Sequence, residues 1–535
     1  MQVLLLFVLA AAMLVSASAS SGPDVPRLGR DQDGGWVFQA GDAKYVFWGV
    51  DADTWGCDAG DIALFRKHCE ASVYVNANFI AIPVTWKNVE RRGPGKYDFT
   101  FVDQALEAAR KYGLKAALMW IGIDYAAGDP NFVPPYIDAD PETYVRIAGF
   151  GYDEQKRYRP AAEQTDREED RLHCPSCPAT LARESAAYGA LMKHLAETDP
   201  QRTVMAISIC GEIDYLRAMP PDQWSPERDV RCRCRHCEAA YRPGLESNVA
   251  FMTRQFATYV RTIIEAGAKH YDIPTYSQVC PHRWFPGWRY AEDPVALKAI
   301  INRANHFVVP SVACTSDEHA FLREEMDYFR PECIPGNIVF VDGIDTGWPA
   351  NLSRLELAPW YCILEYGGLG AIYWDAPSVS IIKEGEVRRE MFRRMWGPLK
   401  AMHYHLARLK SAGPKTRFWW RYHEISSERE MDGFTVKQVS SDKDYGVCSV
   451  LGPERLALAA TTAGGPCRIT FTRPGGFEGF RFERGCFDMV TGEWRKSGDA
   501  KVSLPNTGGK TVTITIDGDS GDYSQAACYV YKPSN

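Results

Sequence analysis

Residues 78–120 read NFIAIPVTWKNVERRGPGKYDFTFVDQALEAARKYGLKAALMW, and they hold one complete strand–helix–strand step. Phe79–Pro83 and Lys115–Trp120 are short apolar runs, the pattern of strands buried on both faces. Between them, Phe101–Tyr112 spaces its apolar residues as one helical face does. Working outward, the same alternation recurs along the chain. The other strand runs are Tyr45–Val50, Val204–Ile209, Pro274–Gln278, His306–Val309, Ile338–Val341 and Gly370–Trp374. Helical patterns fall at Pro178–Glu197, Asn248–Ala268 and Leu355–Tyr366, and a last one, Val387–Leu409, follows the eighth strand. Eight such steps predict an α/β fold, a (β/α)8 TIM barrel with long βα loops over residues 20–410. A doubly wound open sheet is the runner-up, but no G-x-G-x-x-G follows the first strand.

From about residue 411 the pattern changes. Arg468–Thr472 and Thr511–Ile516 alternate with period two, and turns such as Asp517-Gly518-Asp519 separate the runs. Residues 411–535 therefore read as a β-sandwich domain, either a stability module or a separate carbohydrate-binding unit. At the other end, the apolar run Val3–Val15 is followed by Ala17-Ser18-Ala19, an A-x-A cleavage candidate. Residues 1–19 read as a signal peptide, so the chain is expected to be exported, to the periplasm or outside the cell. No run is long enough to span a membrane. The net charge of −7 offers no basic surface for nucleic acid. Aromatic residues reach 12%, which serves either sugar stacking or large cores.

Barrel enzymes keep their catalytic groups at the C-terminal ends of strands. Two carboxylates follow strand runs here: Glu212 after Val204–Ile209, and Asp342 after Ile338–Val341, with Asp345 as a less favoured substitute for Asp342. Strands four and seven lie nearly across a barrel from each other. A facing pair of carboxyl groups, one to protonate and one opposite it, is what glycoside hydrolysis requires. The competing role for an acid at a strand end is a helix cap or a solvated loop group.

Residues 78–90 (N-x-x-x-x-P-x-x-W-x-x-x-E), followed by Gly95-Lys-Tyr-Asp98-Phe-Thr-Phe-Val-Asp103, resemble the β2–α2 region of β-galactosidases of glycoside hydrolase families 35 and 42. Leu191–Asp199 before Thr203-Val204 resembles the helix leading into strand four of those enzymes. The resemblance covers most of residues 30–405. It implies a barrel glycosidase with a retaining mechanism, Glu212 as acid/base, and an oligosaccharide or polysaccharide substrate, most simply a β-galactoside. It also implies that Trp374 floors the −1 sugar subsite. Trp86 and Trp120, near the ends of strands two and three, are further candidates to line the cleft, with core packing as their alternative. The chain departs from the family pattern twice. Gly211 stands where the family has Asn before the acid/base Glu, and Asp342 stands where it has a nucleophilic Glu. These departures keep a second reading open, a non-catalytic carbohydrate-binding protein on a glycosidase scaffold.

The cysteines carry a separate signal. Cys232-Arg-Cys234-Arg-His-Cys237 is C-x-C-x₂-C, and Cys174-Pro-Ser-Cys177 lies upstream. Four thiolates make a closed tetrahedral Zn²⁺ site with no open position for substrate. Family 42 enzymes carry a structural zinc in this layout. The resemblance selects Cys174, Cys232, Cys234 and Cys237 as ligands, with Cys177 as substitute; disulfides are the other reading in an oxidising compartment. No catalytic metal or organic cofactor is expected.

Overall fold

A computed structural model describes residues 24–30, 36–52, 61–123, 132–147, 173–209, 231–279, 294–312, 338–341, 369–373, 393, 396–397 and 399–400. In the C-terminal part it describes residues 417–420, 429–431, 434–439, 445–452, 454–461, 467–487, 494–503, 509–516 and 527–533. The expected signal peptide lies outside these residues, as do Gly211, Glu212, Asp342, Asp345 and Trp374.

The described chain begins with three short antiparallel strands, β1 (Arg27–Arg30), β2 (Trp36–Ala40) and β3 (Ala43–Tyr45). Eight parallel strands follow: β4 (Phe47–Asp51), β5 (Phe79–Thr85), β6 (Lys115–Ile121), β7 (Val204–Ile209), β8 (Thr275–Val279), β9 (His306–Val312), β10 (Ile338–Val341) and β11 (Gly370–Tyr373). They pair in chain order, and β11 returns to β4 through Gly370↔Phe47, so the sheet closes into a barrel. Every strand run read from the sequence coincides with one of these strands, differing only at the ends. Five of the connections carry described helices: α1 (Ile62–Tyr74), α2 (Thr100–Lys111), α3 (Pro178–Thr198), α4 (Asn248–Ala268) and α5 (Pro294–Ile301). The expected helix Leu355–Tyr366 lies outside the described residues. Of Val387–Leu409, residues 393, 396, 397, 399 and 400 are described, and all are helical.

Successive side chains on a strand point to opposite faces, so the closed sheet sorts its residues into two apolar bodies. Phe47, Phe79, Ala81, Ala117, Met119, Met205, Tyr276, Phe307, Val309 and Ile372 fill the lumen. Their strand neighbours Ile80, Ile82, Val84, Leu118, Trp120, Ile207 and Ile209 face the helices instead. The lumen is floored by aromatic rings at its N-terminal end. Phe47 stacks on Phe79 with centroids 4.3 Å apart, and Phe38 from β2 packs on Phe47 (5.0 Å) and Phe307 (6.1 Å). The short β1–β3 sheet thereby corks the barrel. The two backbones approach closely at the closing seam. A Cβ on Gly370, whose φ is +150°, would lie 1.7 Å from the Phe47 carbonyl oxygen, so only glycine fits there.

The remaining strands are β12 (Arg417–Trp420), β13 (Arg429–Met431), β14 (Phe434–Val439), β15 (Tyr445–Gly452), β16 (Arg455–Thr461), β17 (Cys467–Thr472), β18 (Arg481–Phe487), β19 (Trp494–Asp499), β20 (Lys501–Ser503), β21 (Thr511–Ile516) and β22 (Ala527–Tyr531). They form a six-stranded antiparallel sheet, β12-β15-β16-β22-β18-β19, and a five-stranded one, β13-β14-β17-β21-β20. Leu456, Leu458, Cys528 and Val530 of the first sheet share one apolar cluster with Phe434, Ile469, Phe471, Val512 and Ile514 of the second. No described helix is long and apolar enough to cross a membrane.

The turn from α3 into β7 is fixed by one buried carboxylate. Asp199 caps the end of α3, accepts from the backbone N–H of Thr203 (3.0 Å) and Val204 (2.9 Å), and pairs with Arg110 at 3.4 Å. Without it, two buried N–H groups lose their acceptor. Asp199→Ala is expected to lower stability by about 2–4 kcal/mol, read as a shifted urea midpoint. Asp199→Asn, which keeps one acceptor oxygen, should cost less; equal stability of all three proteins would show that the turn does not depend on this residue.

Candidate functional site

Among the described residues, Asp51, Ser208 and Tyr276 bring polar groups to the lumen. Asp51 is the last residue of β4 and only 1% exposed. It lies four residues beyond the lumenal Phe47, so strand parity turns it inward. Ser208 on β7 sits between Ile207 and Ile209, which face the helices, and so also points into the lumen. Its register partner on β8 is the lumenal Tyr276. Strands β4 and β8 are four places apart in a ring of eight, so Asp51 and Tyr276 approach each other from opposite walls. Burial raises the Tyr276 phenol well above its ordinary range; the charge of Asp51 adds to the rise, and a hydrogen bond with Ser208 opposes it.

Sequence reading missed this cluster. Its signal was the rule applied to Glu212, a carboxylate at a strand end, but the first run was ended at Val50. The chain leaves β7 at Ile209 and reaches Glu212 three residues later, and Asp342 directly follows Val341 of β10. Trp374 directly follows Tyr373 of β11.

Trp86 and Trp120 require a correction, because both are fully buried and neither offers a face to a sugar. Trp120 falls on the helix-facing parity of β6, among Leu118, Ile209 and Tyr188. Its indole N–H donates to Glu184 of α3 at 3.0 Å, and the Tyr259 hydroxyl donates to the same oxygen at 2.7 Å. The fit is close enough that a Cβ on Gly122 would lie 1.7 Å from that oxygen. Trp86 opens a one-turn helix (Trp86–Val89), and its indole N–H donates to the buried Glu90 at 2.8 Å. Glu90 also accepts from the Gly95 backbone N–H and pairs with Arg183, the residue before Glu184. The two tryptophans thus latch α3 against β5 and β6. The motif glutamate at position 90 serves this latch.

The four cysteines selected by the resemblance come together in one cluster. The sulfurs of Cys174, Cys232, Cys234 and Cys237 all lie within 4.8 Å of one another, and all four residues are buried. Cys174 Sγ is 3.4 Å from Cys237 and Cys234 and 3.8 Å from Cys232. These separations far exceed the roughly 2.05 Å of a disulfide bond, and none of these four cysteines is in a disulfide. Cys177, the substitute ligand, stands apart with its thiol directed at the Thr143 carbonyl. Hydrogen bonds from its three neighbours, first Cys174, hold the Cys234 thiol below its ordinary range, while sharing with Cys232 and the others raises Cys174. Four buried sulfurs converging in this way can hold a metal ion. Its surroundings are closed: Arg231 is buried, lies 4.0 Å from the Tyr241 ring centroid and pairs with Glu238.

No family model matches the chain, and no curated protein matches it. Among solved structures, a β-galactosidase from Bacillus circulans sp. alkalophilus superposes with a TM-score of 0.47 at 9% identity, covering 91% of this chain and 99% of its own. The catalytic domain of a β-amylase from Paenibacillus polymyxa gives 0.44 at 11% identity, covering 65% and 97%. An exo-β-1,4-mannosidase from Opitutaceae bacterium strain TAV5 gives 0.40 at 14% identity, covering 72% and 61%. These superpositions are loose, and the functional reading rests on this chain's own residues.

If Trp120 is a latch, Trp120→Phe should cost about 1–3 kcal/mol through the lost donor to Glu184. Sugar affinity should not change. A variant of unaltered melting temperature but weakened glycan binding would restore the stacking role.

Proposed function

We propose that the chain is an exported glycoside hydrolase of the (β/α)8 class with an appended β-sandwich, cleaving β-glycosides, most simply β-galactosides. The observation that carries this reading is the closed ring of parallel strands, after which the sequence places Glu212 three residues beyond β7 and Asp342 immediately beyond β10. Glu212 follows the fourth strand of the ring and Asp342 the seventh. In the proposed reaction Glu212 protonates the glycosidic oxygen while Asp342 attacks the anomeric carbon, expelling the aglycone and forming a glycosyl ester. Glu212 then takes a proton from water, which displaces Asp342 and frees the sugar. Trp374, directly after β11, is proposed as the floor of the −1 subsite.

The four-cysteine cluster is proposed as a structural Zn²⁺ site. Tetrahedral Zn–S bonds of about 2.3 Å place sulfurs about 3.8 Å apart, close to the separations of 3.4–3.8 Å found here. Four protein ligands leave no open position, so the metal would stabilise the loop around Cys232–Cys237 and take no part in the chemistry. Gly211 and Asp342, which depart from the family pattern, favour a second reading in which the barrel binds a glycan without cleaving it.

Hydrolysis of aryl glycosides and β-linked oligosaccharides separates the two readings. Glu212→Gln should cut turnover on unactivated glycosides by at least ~10²-fold, a general acid's typical contribution. Asp342→Asn should abolish it. Asp is shorter than Glu by about 1.5 Å, yet retention of configuration is expected, with NMR following the anomer first released. Binding without turnover in the wild type would favour the non-catalytic reading.

Metal analysis should find about one zinc per chain. Cys234→Ser should lose the metal and melt earlier, while the surviving folded protein keeps its kcat. A metal-free native protein would refute the site.

A further inference from the structure

His306 opens β9 and is fully buried, on the strand parity that faces the helices. Its neighbour Phe307 is lumenal, and its register partner on β8 is the buried Thr275. The Thr275 hydroxyl lies 3.0 Å from Nδ1, which satisfies one ring nitrogen. Among the described residues nothing bonds Nε2. A neutral imidazole tolerates this arrangement, whichever nitrogen carries its proton. An imidazolium does not, because it has a charge and two N–H donors, and only one of them would find an acceptor. The charged groups around this corner offer no relief. Lys298 of α5 donates to the His306 and Arg303 carbonyls. Arg303 pairs with Asp272 at 2.8 Å, and Arg261 of α4, whose ion partner is Glu265, reaches the Ile300 carbonyl. Neither carboxylate bonds the imidazole. Burial first, and then the charges of Lys298 and Arg303, hold it well below the ordinary histidine range.

We propose that His306 is an acid-sensitive fastener of the barrel: when its imidazole takes a proton, the seam between β8 and β9 opens at its N-terminal end, so the ring stays closed only in neutral and alkaline media. The seam is placed to respond, because one residue carries ring, ladder and turn together. The Thr275 N–H donates to the Asn305 carbonyl at 2.8 Å, directly ahead of His306, and the His306 N–H donates to the Arg303 carbonyl at 3.2 Å. A ring driven from its site pulls on both bonds. The opened chain protonates its histidine near pH 6.5, whereas the closed chain refuses the proton. The stability that His306 contributes is therefore complete above that pH and declines as the pH falls below it. From about pH 7.5 to about pH 5.5, this single group shifts the opening equilibrium about tenfold.

The test is amide hydrogen exchange of the full-length protein, followed by mass spectrometry and corrected for the intrinsic rate, which reports local opening constants. In the wild type, peptides spanning Thr275–Val279 and His306–Val312 should open about tenfold more readily at about pH 5.5 than at about pH 7.5, while those of β5 and β6 hold. His306→Asn takes no proton yet keeps a polar group for Thr275, so it should remove that difference and leave exchange elsewhere unchanged. A melting curve at about pH 7.5 establishes that the variant folds. If it does not, the wild type alone decides, through the contrast between β8–β9 and β5–β6. Equal opening of all these strands, a seam indifferent to pH, or a seam as acid-sensitive in His306→Asn as in the wild type would overturn the proposal.

Discussion

A closed parallel sheet leaves each side chain two destinations, the lumen or the helical jacket. Strand parity assigns every residue to one of them, and most of this structure depends on that assignment. It sends Phe47, Phe79 and Phe307 inward to make a floor, and Leu118, Trp120 and Ile209 outward to seat the helices. It also decides chemistry. Asp51 and Trp120 both lie at or next to the C-terminal end of a barrel strand. One residue of register in either would exchange wall and lumen for every side chain on that strand.

This explains what the sequence made legible. All eight barrel strands could be read because strands buried on both faces are continuous apolar runs, visible without knowing the register. The four cysteines could be read because C-x-C-x₂-C is a local spacing, and Cys174 was separated from Cys177 only by resemblance. The roles of Trp86 and Trp120 could not be read. Whether an indole faces a cleft or a helix depends on parity and on partners such as Glu184, which lies far along the chain and looks like an ordinary helix-surface acid. Asp51 escaped for the complementary reason: the first run seemed to end at Val50, so its carboxylate fell into the loop.

Helix α3 ties these parts together. Cys174 lies just ahead of its N-terminus, Arg183 and Glu184 meet Glu90 and Trp120 along its length, and Asp199 closes its C-terminus onto β7. At 21 residues it spans about 31 Å. A single rigid element therefore joins the thiol cluster to the strand that leads to Glu212.

The cork formed by Phe38 also sets an order of assembly. Its ring packs between Phe47 and Phe307, residues far apart in the chain, and the seam beside it joins Phe47 to Leu369 and Gly370. Until the last barrel strand is available, β4 has an unpaired edge and the lumen lacks part of its wall. Contacts between such distant segments must overcome the entropy of closing a very long loop before they return any stability. The barrel's first strand is thus among the last to be fully satisfied, and a nascent chain carries a bare, apolar sheet edge until then. Such an edge is a template for pairing with another chain.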